Sequence, residues 1–103
     1  DPPYYAVIFT AQRKGADDGY GAMADKMGAL AAEQPGYIGV ESTRDAEGLG
    51  ITVSYWRDEA ALLNWKQVST HLLAQTLGKS RWYEFYTLRV ARVERGYEGP
   101  EGR

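Results

Sequence analysis

Residues Tyr4–Arg13 read YYAVIFTAQR, and this stretch decides the fold class. Its density of β-branched and aromatic residues marks a strand. Side chains alternate along a strand, so one face carries Tyr5, Val7, Phe9 and Ala11, and the other Tyr4, Ala6, Ile8 and Thr10. Both sets are largely apolar, which predicts cover on both sides of this strand.

Working outward, Gly15–Gly19 is a turn region with Asp17 or Asp18 as a helix N-cap. From Tyr20 the period changes: Tyr20, Met23, Met27, Leu30 and Ala31 recur at helical spacing, with Asp25 on the far side. Pro35-Gly36 stops that helix. Tyr37–Arg44 is a second strand with Ile38, Val40 and Ser42 on one side, Asp45–Gly50 a hairpin loop, and Gly50–Trp56 a third strand. The third strand sets Ile51, Val53 and Tyr55 against Thr52, Ser54 and Trp56. Asp58 opens a second helix whose apolar stripe is Ala61, Leu62, Trp65 and Val68, continued by Leu72 and Leu73 and stopped at Gly78. Trp82–Arg95 is a last strand, long enough to span about 45 Å if straight. It is therefore expected to bend or bulge and to reach past its own domain.

The order β-α-β-β-α-β is the ferredoxin-like split pattern: α+β, a four-stranded antiparallel sheet with two helices on one face. Nothing in the chain covers the other face, although the first strand is apolar there. An exposed patch of that size is uncommon on a monomer, so a homodimer packed sheet on sheet is expected. The domain is read as residues 4–95, with 96–103 a Gly-, Pro- and charge-rich disordered tail.

Composition narrows the chemistry. The chain has 103 residues, enough for one domain. It has no Cys and one His, His71, which excludes disulfides, thiolate metal sites, Cys nucleophiles and a His cluster for zinc. Twelve Lys and Arg stand against fourteen Asp and Glu, mixed in sign, so no basic face suits nucleic acid. No apolar run reaches the roughly 20 residues of a membrane helix. No signal peptide is visible, so a cytoplasmic protein is expected. The glycines form no phosphate-binding pattern, and a single His supports no Ser-His-Asp arrangement.

Two stretches carry a family resemblance. Pro35-Gly36-Tyr37-Ile38-Gly39-Val40-Glu41 resembles the PGF-x-G segment of antibiotic biosynthesis monooxygenase domains. Trp56-Arg57-Asp58-Glu59-Ala60, followed by Asn64-Trp65, resembles the W-x-[ST]-x-E-A-x-x-x-W element of the same family. The tryptophan spacing matches, and Glu59 stands one place early. The resemblance covers nearly all of Tyr4–Val93 and implies a dimeric α+β barrel with a cavity between helices and sheet. Its members include cofactor-independent quinol or anthrone oxygenases and haem-degrading enzymes. The haem-degrading branch has an Asn on the first strand, a Trp on the second helix and a His ten residues later. Trp65 fits that Trp, but Gln75 stands at the His position, and Phe9 or Thr10 at the Asn position. The usual axial ligand is therefore missing.

The resulting expectation is a monooxygenase-like enzyme without cofactor or metal, acting on a small planar quinol- or anthrone-type aromatic. His71 is the candidate general base, as the one side chain here whose unperturbed pKa lies near neutrality. Trp65, Phe9, Tyr55, Gln75 and Met27 are the candidate substrate-binding residues. The alternative is a non-catalytic dimeric ligand-binding or stress-associated module on the same scaffold. Structural readings compete at each position. Trp65 has the spacing of a core anchor, Met23 and Met27 of core packing, and His71 of an ordinary helix residue. Trp82, Tyr83, Phe85 and Tyr86 suit dimer packing as well as substrate stacking. Arg89, Arg92 and Arg95 suit a solvated edge as well as an anion site.

Overall fold

A computed structural model describes residues 2–13, 20–77 and 83–100; the side chains of 20–23, 72–77 and 83–85 are not described. The elements are β1 (Tyr4–Arg13), α1 (Tyr20–Ala32), β2 (Tyr37–Arg44), β3 (Leu49–Trp56), α2 (Glu59–Leu77) and β4 (Tyr83–Val93). They form a four-stranded antiparallel sheet in the order β2-β3-β1-β4. The expected turn and caps at Gly15–Gly19, the stop at Gly78, and Trp82 lie outside the described residues. Among the described residues no helix is long and apolar enough to cross a membrane.

Both helices lie on the side of the sheet that carries Val7 and Trp56. These two pack in one core with Ala31 of α1 and Ala61, Leu62 and Trp65 of α2. Trp56 is fully buried. Its ring stacks on Trp65 at 5.7 Å and 20° and meets Tyr37 edge-on at 5.7 Å. Buried indole N–H groups need an acceptor, and here Trp56 Nε1 donates to the Ser54 Oγ at 2.9 Å, which also satisfies the one buried hydroxyl of β3.

Local chemistry explains how two tryptophans nine positions apart come to stack. Asp58 caps α2: its Oδ1 accepts from the Ala61 amide at 2.8 Å, three residues on. It stands where the family pattern has Ser or Thr, and it does the same work. Pro35-Gly36 then seats the helix. Gly36 has φ +83°, and a Cβ there would collide with the Ala61 Cβ. The Gly36 carbonyl also accepts from the Arg57 amide at 2.7 Å. Only glycine allows both the left-handed backbone and the close approach of α2.

The β2–β3 hairpin is equally local. Asp45 Oδ1 accepts from the amides of Glu47 and Leu49, each at 2.9 Å. Gly48, at φ +94°, turns the chain.

One expectation needs correction. β4 does not overreach: β1 matches it from Tyr4↔Val93 to Arg13↔Tyr83, and one register shift opposite Gln12/Arg13 takes up its extra length as a bulge. The β4 side chains alternate between the two faces of the sheet. Tyr86 pairs with Ala11 and Leu88 with Phe9, so both stand on the helix-facing side, whereas Arg89 pairs with Ile8 and stands on the other. Arg92 forms an exposed ion pair with Glu94 at 3.4 Å, the solvated edge anticipated for these arginines.

Candidate functional site

Directly paired residues of antiparallel strands share a face, so the ladder maps the floor beneath the helices. Along β1 it runs Tyr5, Val7, Phe9, Ala11; along β3, Trp56, Ser54, Thr52, Gly50. On β4 it runs Arg92, Val90, Leu88, Tyr86, and on β2, Val40, Ser42, Arg44. The near end, at Tyr5 and Trp56, is sealed by Ala31, Ala61, Leu62 and Trp65. At the far end the described residues cover the floor less completely. Phe9 is only half-buried there, and its ring lies 5.4 Å from that of Tyr86, which is 57% exposed. Leu88 and Val90 continue this exposed apolar row on β4.

The sequence-derived site residues fall in different places. Trp65 and Met27 share the core cluster, Trp65 buried and Met27 partly so. Phe9 is on the same sheet face, two positions beyond Val7. Trp65 is thus a core anchor.

Tyr55 does not join them. Its neighbour Trp56 points into the core, so alternation sends Tyr55 to the opposite face. There it meets Tyr4 edge-on at 5.9 Å and donates to Glu41 Oε1 at 2.7 Å. That hydrogen bond, with burial and the Glu41 charge after it, raises the phenol above its ordinary pKa of 10.0.

His71 lies on α2 but is exposed. At 3.6 residues per turn it stands about 120° round the helix from Trp65 and about 9 Å further along it. The Gln75 side chain lies outside the described residues. Among the described residues no cluster of His, Cys, Asp or Glu could hold a metal ion.

Sequence reasoning missed two residues of this floor. Tyr86 suits dimer packing and substrate stacking alike in the sequence, because the bulge in β4 hides its parity; the ladder puts it on the helix-facing side. Arg44 attracted no notice, although counting back through the hairpin from Trp56 puts it on the core side. Its guanidinium lies against Gly50, and its Nη1 donates to the Gly48 carbonyl at 3.0 Å.

Residues 3–77 match the family model described as antibiotic biosynthesis monooxygenase. Over 95 residues the chain is 52% identical to the uncharacterized protein YqjZ of Bacillus subtilis, covering 92% of this chain and 83% of that one. It is 34% identical over 94 residues to the jasmonate monooxygenase ABM of Pyricularia oryzae, covering 86% of this chain but 43% of that protein, so the chain spans less than half its length. The fold superimposes on SnoaB, a cofactor-independent oxygenase from Streptomyces nogalater, with a TM-score of 0.70 at 16% identity, over 97% of this chain and 100% of that one.

Proposed function

This chain belongs to the antibiotic biosynthesis monooxygenase family, and from that premise we propose that it oxygenates a small planar aromatic of quinol or anthrone type without a cofactor. The substrate lies in the far end of the helix-facing side, stacked on Phe9 and Tyr86 with Trp65 and Met27 behind it. The observation that carries this reading is the half-buried Phe9 ring in contact with the exposed Tyr86 ring, on the covered side of the sheet. Aromatic rings at that spacing offer a third ring a stacking surface worth about 0.5–1.5 kcal/mol beyond its buried area. The relatives lend support: one bears the name of a monooxygenase, and one neighbour in fold is a cofactor-independent oxygenase.

In this reaction a base removes the acidic proton of the bound anthrone. The resulting anion gives one electron to dioxygen, and the radical pair joins as a carbon-bound peroxide. Loss of water, which takes the second hydrogen of that carbon, leaves the quinone. The base returns its proton to the peroxide before water leaves, one dioxygen is consumed per substrate, all four electrons that reduce it come from the substrate carbon, and no external reductant enters. His71 is the proposed base and acts from the rim, with Gln75 one turn further along α2.

Oxygen uptake with 1,8-dihydroxy-9-anthrone tests this directly. The wild type should exceed the buffer autoxidation rate, Phe9→Ala should raise KM, and His71→Ala should lower kcat. Uptake at the buffer rate would sink the enzyme reading. The exposure of His71 favours one second reading, a non-catalytic module that binds such molecules. It predicts anthrone binding without uptake.

The proposal includes a homodimer through the opposite face. Leu49 and Ile51 are 40% and 41% exposed there, beside half-buried Ile8 and Val53. Sedimentation should give twice the chain mass, and Ile51→Glu should halve it.

A further inference from the structure

The far end of the helix-facing side carries a cation that the oxygenase reading does not use. Arg44 closes β2, and its ladder partner is Gly50, which pairs in turn with Ala11. Ala11 is also the partner of Tyr86. Arg44, Gly50, Ala11 and Tyr86 therefore form one row across the sheet, with Arg44 and Tyr86 on its two edge strands, on the same face as Phe9.

The guanidinium is held in place. A Cβ built on Gly50 would meet Nη1 at 2.8 Å, Cζ at 2.9 Å and Nη2 at 3.1 Å. Three such similar distances mean that the fork lies across the strand with its face to Gly50. Nη1 is tied to the Gly48 carbonyl at 3.0 Å, which also accepts from the Arg13 amide at 2.8 Å. Glycine at position 50 provides the space. The side chain is half-buried, so the charge is held over Gly50 and partly shielded from bulk water. Neighbouring strands lie about 4.8 Å apart, and alternate residues about 7 Å apart along a strand. Lying over Gly50, the cation thus stands two strand spacings, about 10 Å, from Tyr86 and about 8–9 Å diagonally from Phe9, within the span of a ligand of two fused rings.

We infer that Arg44 is a specificity residue that selects ligands bearing a carboxylate at one end of a planar or cyclic apolar body. This rests on the proposal that the far end binds such bodies. A planar fork of N–H donors matches a carboxylate and can hold the hairpin carbonyl at the same time.

Titration calorimetry on the full chain with 2-naphthoate and 2-naphthamide separates the two layers. The wild type should bind the acid at least about tenfold more tightly than the amide, as expected for a charge-assisted hydrogen bond. Arg44→Gln should abolish that preference and leave naphthamide affinity unchanged. Gly50→Ala keeps the charge but displaces it. The group that must give way is the far end of a flexible side chain, so the variant should fold and its preference should shrink several-fold. If Arg44→Gln does not fold, Gly50→Ala decides. Naphthamide binding without a preference for the acid overturns the inference and spares the aromatic site. A preference that survives both substitutions overturns it as well. Binding of neither probe overturns the aromatic site and the inference together.

Discussion

Under the start of α2, Trp56 is wholly buried, its N–H is satisfied by Ser54, and its ring is held between Trp65 and Tyr37. Further along the same sheet face, Phe9 is half-buried and Tyr86 is more than half exposed. Both ends are aromatic and lie on the same side of the sheet. They differ in what covers them. At the near end the small residues Ala31 and Ala61 let both helices come close, and the bulky rings fill the remaining space. At the far end the β4 edge carries an apolar row that is left exposed. Ring content alone therefore does not decide whether a stretch of this face is core; what packs over the rings does.

The largest expected effect tests that distinction. Trp56→Ala should cost about 3–5 kcal/mol, the range for deleting a large buried aromatic. Tyr86→Ala, on the same face, should change stability by no more than about 0.5 kcal/mol. Urea unfolding of the two variants compares the ends directly. A large loss from Tyr86→Ala would mean that the far end is core, and the proposed site would fail with it.

Gly36→Ala attacks the close approach that seals the near end. The new methyl group meets both a left-handed backbone and Ala61, so the loss should exceed about 1 kcal/mol. A near-neutral Gly36→Ala in thermal melts would show that α2 can shift without breaking the tryptophan stack. Asp58→Ala removes the cap that sets where α2 begins, and should cost about 1 kcal/mol. Asp58→Ser should recover most of that, since Ser also caps; a failed recovery would point to a role for the Asp58 charge.

The smallest effect lies on the outer face and serves as a control for the other two regions. Tyr55 has a raised pKa because it donates to Glu41. Folding therefore favours the protonated phenol. The stabilisation is fully present below about pH 10, the ordinary phenol value, and is lost as pH rises through the higher folded-state value. Tyrosinate absorbance should show one tyrosine titrating late, and Glu41→Gln should move it earlier. If Glu41→Gln leaves the titration unchanged, burial rather than the bond sets the shift.

The elements were legible in the sequence because their signals are local. Alternation in YYAVIFTAQR, the Pro35-Gly36 stop, the Asp58 cap and the period of Ala61, Leu62 and Trp65 each involve neighbours within a turn or two of chain. The site was legible only in part. Phe9, Trp65 and Met27 lie on the helix-facing side that their own strand or helix assigns them. Tyr55 was misplaced among them, although one step of alternation from Trp56 separates it from the helices.

By itself, then, the sequence determined the order of elements, the core stripe of each helix and which β1 residues share a face, since those follow from backbone periods of 2 and 3.6. Only the tertiary structure decided which of two apolar faces the helices took, how far along that face they sealed it, and which distant residues became neighbours on it. Arg44, Gly50, Ala11 and Tyr86 come from four strands, and strand register brings them into one row. Register depends on the hairpin, on the bulge in β4 and on the packing of the whole face, so no single segment of the chain encodes it.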